Sequence, residues 1–271
     1  MGSTYAAAFE AAAHVFIGGA FDDVLDAGGD GSADLSDELM DELCIEGPDG
    51  HHLARVRRLR AGEHITVADG CGRWRPYRID SITERALALV AIGAERFEEE
   101  PAPALAVAFA LTKGMKPETV VRQLTELGVD EILPVVAHRS ISRPRAERID
   151  AVDQRLLRVA REAAMQSRRA RSPRVAALGP LAELAGRPGL VIAERSGATL
   201  GDLGDPGPAG WTLVVGPEGG LAREDLEALA GAPRLAVGPH VLRAETAAVA
   251  VAAALSARRG GPHEAGPSEP G

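Results

Sequence analysis

Trp211-Thr-Leu-Val-Val-Gly-Pro-Glu-Gly-Gly220 is the stretch whose reading decides the fold. Five strand-compatible residues run straight into Gly216-Pro217, which predicts a short buried strand ending in a loop of bare backbone. A polar-faced helix is expected from Ala222 to Ala230, then a second short strand, Leu235-Ala-Val237, ending in Gly238-Pro239-His240. Val241-Leu242-Arg243-Ala244-Glu245-Thr246 follows and feeds an almost wholly apolar helix through Leu255. Strands that end in Gly-Pro turns and alternate with helices read as a parallel α/β sheet. Ligands of such sheets lie in the crevice beyond the strand C-termini.

The same alternation extends upstream. Strands are expected over 104–111, 131–136, 174–178 and 189–194, with helices over 117–127 and 148–169. In the first helix Val120, Leu124 and Leu127 form the apolar stripe, and Gly128 is the C-terminal stop. In the long helix Ile149, Val152, Leu156, Val159 and Ala163 make the buried face. Glu98-Glu-Glu-Pro-Ala-Pro103 is a charged, proline-broken linker. Ahead of it, 65–68, 73–79 and 86–92 read as strands, with Asp69-Gly70 as a hairpin signal. A helix over 51–60, stopped by Ala61-Gly62, precedes them, and a small barrel is the natural assembly. Trp74 and Tyr77 are expected in its core. The domains expected are therefore 1–97, an acidic extension plus barrel; 98–103, a linker; 104–258, the α/β domain; and 259–271, a disordered tail.

Charge is unevenly distributed. The 271 residues carry a net charge of −9, which excludes a simple polycation that coats nucleic acid. Residues 1–50 hold twelve Asp and Glu and no Lys or Arg, and Asp22 to Asp41 reads as a solvated insertion. From Arg139 to Arg174 there are eleven Arg against four acids, a candidate surface for a polyanion. Cys44 and Cys71 lack metal-ligand spacing and the seven His are scattered, so no metal site is expected. With no secretory signal and no apolar run of membrane-spanning length, a cytoplasmic protein without membrane contact is expected.

Val215-Gly-Pro-Glu-Gly-Gly220 followed by Leu242-Arg-Ala-Glu-Thr-Ala247 resembles the two signature loops of one group of SPOUT methyltransferases, which methylate N3 of a uridine in 16S ribosomal RNA. Further blocks carry the resemblance from about His14 to Leu255. They are His51-His-Leu-x-Arg-Val-x-Arg-Leu-Arg60, Thr112-Lys113-Gly114, Thr125-Glu-Leu-Gly-Val129, Ile132 to Ser140 and Arg161-Glu162-Ala-Ala-Met-Gln166-Ser167. The chain departs from that group at Gln123, where Lys is frequent, and at Ser167 and Arg168, where Cys and Gly are frequent.

The resemblance implies a PUA-like RNA-binding barrel, a C-terminal trefoil knot, S-adenosyl-L-methionine as cofactor and 16S ribosomal RNA of the small subunit as partner. It also implies a homodimer paired through helices near the knot. With that cofactor in mind, the strand ends place it against Glu194, Val215, Gly216, Pro217, Glu218, Gly219, Gly220, Gly238, Pro239, His240, Val241 and Leu242. RNA contacts are expected from Arg57, Arg58, Arg60, Arg139, Arg155, Arg158, Gln166, Arg168 and Arg169. Arg243, Glu245 and Thr246 are the candidate catalytic residues; the alternative for them is an ordinary helix N-terminus. Two rival functions stay open. One is a SPOUT enzyme acting on tRNA or a ribose 2′-hydroxyl; the other is an RNA-binding protein without catalysis. A dinucleotide-binding dehydrogenase is a poor fit, since no strand leads into G-x-G-x-x-G.

Overall fold

The computed structural model describes residues 11–17, 39–112, 115–140 and 146–259. Most of the acidic insertion, the Lys113-Gly114 pair and residues 260–271 of the expected tail lie outside them. The chain divides into two units, one of residues 1–100 and 164–172, the other of 101–163 and 173–271.

The first unit is a six-stranded mixed sheet. Its strands are β1 (Ala13–Phe16), β2 (Glu42–Ile45), β3 (His64–Ala68), β4 (Arg73–Ile82), β5 (Leu87–Ala91) and β6 (Arg96–Phe97), in the order β1-β3-β4-β5-β2 with β6 on β4. β1 pairs β3 in parallel, and the remaining pairs are antiparallel. Ile65, Val67, Tyr77, Ile79, Leu87 and Leu89 fill the core. Trp74 is buried as well, and the Tyr77 hydroxyl donates to the Met40 carbonyl at 2.8 Å. The β3–β4 hairpin turns where Asp69 predicts it. Its Oδ1 accepts from the Cys71 and Arg73 amides at 2.6 and 3.0 Å, and Gly70 takes a φ of 81° that suits glycine.

The helix expected over 51–60 is much shorter. Helix α1 (Gly47–His51) passes into a π turn, His52–Val56, and Arg58 then adopts a left-handed φ of 53°, which ends any helical run. Arg57, Arg58 and Arg60 are exposed beyond it.

Residues 164–172 belong to this unit, and His14 is one of the residues that fasten them. His14 is 4% exposed, and its Nε2 donates to the Arg169 carbonyl at 2.9 Å. A carbonyl can only accept, so Nδ1 is left to accept from the Thr66 hydroxyl at 2.7 Å. Burial pushes the imidazole pKa down to about 4, against the opposing hydrogen bond to Arg169, so the ring is neutral.

The second unit is a parallel sheet with helices. Its strands are β7 (Leu105–Ala110), β8 (Glu131–Val136), β9 (Arg174–Val175), β10 (Gly179–Pro180), β11 (Leu190–Ala198), β12 (Trp211–Val215) and β13 (Arg234–Leu235). They run in the order β10-β8-β7-β12-β11-β13, with β9 also on β8. The strand expected over 174–178 is thus two short ones. β7 and β12 are buried along their whole length, as unbroken apolar runs in a covered parallel sheet should be.

Helix α2 (Pro117–Glu126) starts with proline in its first turn and buries Val120, Val121 and Leu124. Helices α3 (Ile149–Gln166), α4 (Arg223–Ala228) and α5 (Ala244–Arg258) follow. α5 packs on β7 and β12 through Ala248, Val251, Ala252 and Leu255. Arg259, at the head of the expected tail, is anchored: its guanidinium pairs with Asp130 and bonds the Gly128 carbonyl. No helix among the described residues is long and apolar enough to cross a membrane.

Candidate active site

Because β11, β12 and β13 run parallel, their C-terminal ends open on one side. β11 pairs with β12 through Ile192↔Val214 and with β13 through Ile192↔Arg234. A cavity of about 380 Å³ lies there. Its walls are the middle of β11 (Ile192 to Arg195), the end of β12 and the loop after it (Val215, Gly216, Pro217, Glu218 and Gly220), and the run into α5 (His240, Val241, Leu242). Nine of the twelve expected cofactor residues line it. Gly219, Gly238 and Pro239 do not.

The loop after β12 is shaped by backbone. Gly220 donates its amide to the Pro217 carbonyl at 2.8 Å, closing a turn, and takes a φ of 71°. Gly219 instead turns its carbonyl to the guanidinium of Arg139, 2.9 Å from Nη1. Gly238, with a φ of 75°, makes the turn that returns the chain toward α5.

The sequence reading missed the apolar floor: Leu221 and Leu226 around α4, Leu235 on β13 and Val237 after it, and Ala247 and Val251 on α5. The four-residue spacing of Ala247 and Val251 was the available signal. It also missed Arg234, whose Nη1 lies 2.8 Å from the Glu194 carboxylate.

Arg243 holds the N-cap position of α5 in extended conformation, and its carbonyl accepts the Ala247 amide at 2.8 Å. Its side chain is exposed and has no partner among the described residues. Its chain neighbours Leu242 and Ala244 both line the cavity. Glu245 is half-buried in the first turn, where a carboxylate suits the positive helix end. Thr246 is exposed.

The candidate RNA residues are dispersed. Arg155 and Arg158 are exposed on α3, and Arg155 pairs with Glu118 at 2.7 Å. Gln166 is exposed at the end of α3. Arg168 and Arg169 form the Schellman stop of that helix, with amides bonding the Met165 and Ala164 carbonyls at 3.3 and 3.0 Å. The Arg168 guanidinium donates to the Ala11 carbonyl at 2.6 Å. A wider open depression of about 590 Å³ in the first unit, bounded by Glu46, Gly47, His51, Arg85 and Ala86, sits at no convergence of strand ends.

Comparison with known proteins identifies the family. The family model for an RNA methyltransferase domain matches residues 98–256, and that for an RNA methyltransferase PUA domain matches residues 45–92. Over 223 residues the chain is 34% identical to ribosomal RNA small subunit methyltransferase E of Mycobacterium bovis, covering 78% of this chain and 84% of that protein. The protein of the same name from Bacillus subtilis is 27% identical over 228 residues, 79% of this chain and 89% of its own. The crystal structure of the Neisseria gonorrhoeae protein of that name, bound to S-adenosyl methionine, superposes with a TM-score of 0.72 at 26% identity, covering 83% and 96% of the two chains. The chain belongs to the ribosomal RNA small subunit methyltransferase E family of RNA methyltransferases.

Proposed function

We propose that this protein transfers a methyl group from S-adenosyl-L-methionine to N3 of a specific uridine in 16S ribosomal RNA of the small subunit. The observation that carries the reading is the cavity at the ends of β12 and β13 and along the middle of β11, beside which Arg243 stands exposed and unpartnered among the described residues. The cavity fits the cofactor by chemistry as well as size. At about 380 Å³ it is in the range of small-molecule sites. It offers an apolar floor, glycine backbone for close approach and the Glu194 carboxylate as hydrogen-bond acceptor. S-adenosyl-L-methionine, when bound, supplies an already activated methyl group.

The remaining difficulty lies in the uracil. N3 sits on the Watson–Crick edge and carries a proton, so the base must be unpaired before reaction. The Arg243 guanidinium would stabilise negative charge on a uracil carbonyl oxygen as that proton leaves. Glu245 would accept the proton or hold Arg243, and Thr246 would position the base. RNA would be held through Arg57, Arg58 and Arg60 on the first unit and Arg155 and Arg158 on α3 of the second.

The remaining features of the reading are a C-terminal trefoil knot, a cytoplasmic location and a homodimer. The dimer is supported by the half-buried Val249, Ala250, Ala253 and Ala254 on α5, an apolar face left partly open. We keep the domain limits at 1–97 and 104–258. Nucleoside mass spectrometry of ribosomal RNA from cells lacking the protein tests the function: loss of one N3-methyluridine from 16S RNA is expected. A lost tRNA or ribose methylation would identify the other SPOUT chemistry. An unchanged modification profile would leave an RNA-binding protein.

A further inference from the structure

In the parallel sheet β7 separates β8 from β12, yet the turn after β8 touches both the loop after β12 and the first turn of α4. That turn, Ala137 to Ser140, is locked on itself. The Ser140 hydroxyl accepts the Ala137 amide at 3.1 Å, and the Ser140 amide bonds the Ala137 carbonyl at 3.0 Å. From it Arg139 reaches the Gly219 carbonyl at 2.9 Å. His138 reaches Asp225, its Nδ1 2.7 Å from Oδ1 and its amide 3.2 Å from the same oxygen.

Asp225 is not a surface carboxylate. It is 1% exposed and sits in the first turn of α4, where its Oδ2 also accepts the Ala222 amide at 2.9 Å. Burial alone would raise its pKa. The His138 ring, the two amides and the charge of His138 outweigh burial and hold it below the usual carboxylate range. An ionised carboxylate taking several N–H donors is a rigid joint. The segment from Gly216 to Asp225 is therefore pinned in its middle by Arg139 and at its end by His138. Between these pins, Gly220 and Leu221 line the cavity.

We propose that His138 and Arg139 are positioning residues that hold the cofactor loop in its binding shape, so that Arg139 serves this loop rather than an RNA phosphate. This rests on the cavity being the cofactor site. A loop ordered for only a fraction of the time binds with an affinity reduced by that fraction. Losing a hydrogen bond from a charged donor shifts such an equilibrium by roughly tenfold.

The test compares the full-length protein with Arg139→Ala, Arg139→Lys and His138→Asn. Hydrogen exchange in the cofactor-free protein should speed up for the amides of Gly220 to Ala222 in Arg139→Ala. S-adenosyl-L-methionine should then bind roughly tenfold more weakly by calorimetry, with KM raised and kcat at saturating cofactor unchanged within about twofold. Arg139→Lys, which keeps one donor, should recover part of the loss, and His138→Asn, which keeps a donor for Asp225, should lose less than Arg139→Ala. The salt dependence of RNA binding should stay that of the parent. Parent-like exchange and cofactor affinity in Arg139→Ala, with a shallower salt slope, would overturn the proposal and return Arg139 to the RNA. If the parent itself binds no S-adenosyl-L-methionine, the cavity reading falls first and this inference with it.

Discussion

Arg234 holds the carboxylate of Glu194 at 2.8 Å within the cavity wall, diagonally across the β13–β11 pairing in which Arg234 faces Ile192. Both side chains are partly exposed, so the pair adds at most about 1 kcal/mol to stability. Its value is orientation: Ser196 also donates to Glu194 at 2.7 Å, so the carboxylate is aimed from two sides. Glu194→Ala should weaken S-adenosyl-L-methionine binding by about tenfold or more. Arg234→Ala should weaken it less, because the acceptor survives. Calorimetry on both variants checks the order; equal affinities for parent and Glu194→Ala would remove Glu194 from the site.

The glycines of the loop are not equivalent. A Cβ on Gly219 meets nothing within 4 Å, and its φ is ordinary. Gly220, at a φ of 71°, would force any other residue into the left-handed region at about 1–2 kcal/mol. Gly220→Val should therefore cost cofactor affinity about tenfold while Gly219→Ala stays near the parent. The reverse ranking in a binding titration would refute this account of the loop.

Removing the guanidinium of Arg243 touches no contact among the described residues, so stability should not change. Turnover should fall at least about a hundredfold, the usual loss for one preorganised charge-stabilising donor. Single-turnover rates at saturating cofactor, with affinity measured alongside, separate this from a binding defect. A parent-like rate would take Arg243 out of the mechanism.

Arg158 and Arg168 should respond in opposite ways. Arg158 is exposed without a partner among the described residues, so Arg158→Ala should reduce the slope of log affinity for RNA against log salt by about one. Arg168 has a φ of 60° and donates to Ala11. Arg168→Ala keeps the strained backbone and loses the bond, costing about 1 kcal/mol. Arg168→Gly loses the same bond but relieves about 1 kcal/mol of left-handed strain, and should unfold near the parent midpoint. Urea titrations of the two variants give the comparison.

His14 makes stability pH-dependent. Its folded pKa of about 4 lies below the ordinary 6.5, so between those values the unfolded chain binds the extra proton. The stabilisation is complete above pH 6.5 and drains away as pH falls toward 4, by up to about 3 kcal/mol. Asp153, raised chiefly by burial, drifts the other way, and Asp225 the same way as His14. The comparison is therefore parent against His14→Leu: the gap between their stabilities should shrink from pH 7 to pH 4.5. A constant gap would show that the ring does not titrate as described.

What the chain reveals of itself depends on distance along it. Strand Glu131–Val136 reads directly, because a buried parallel strand is one apolar run between breakers. The loop after β12 reads as well, since Gly-Pro against a strand end has few other meanings. β2 did not, because Glu42 and Cys44 face outward and its apolar signal is only Leu43 and Ile45. Its partner β5 lies far along the chain. The Arg234–Glu194 pair, the His14–Arg169 bond and the reach of Arg139 to Gly219 join residues forty or more positions apart. Periodicity carries no record of such contacts. Arg139 looked like one more cation in a basic run; only the fold shows its hydrogen bond spent on a carbonyl. Arg168 ends its helix at a φ of 60°, a conformation that glycine would take without strain.

The position of β12 between β7 and β11 has a consequence for how the protein is made. Ribosomes deliver the chain N-terminus first, so β7 and β8 can pair early, while β11 emerges with neither of its neighbours yet synthesised. Until Trp211–Val215 arrives, the nascent sheet carries one bare edge on β7 and two on β11, the kind of edge that recruits wrong partners. Closing it requires pairings distant in sequence, which are slow to form. The two halves of the sheet are thus joined only when Trp211–Val215 arrives, with β13 and α5 still to follow, and a chain released before that strand keeps those edges bare.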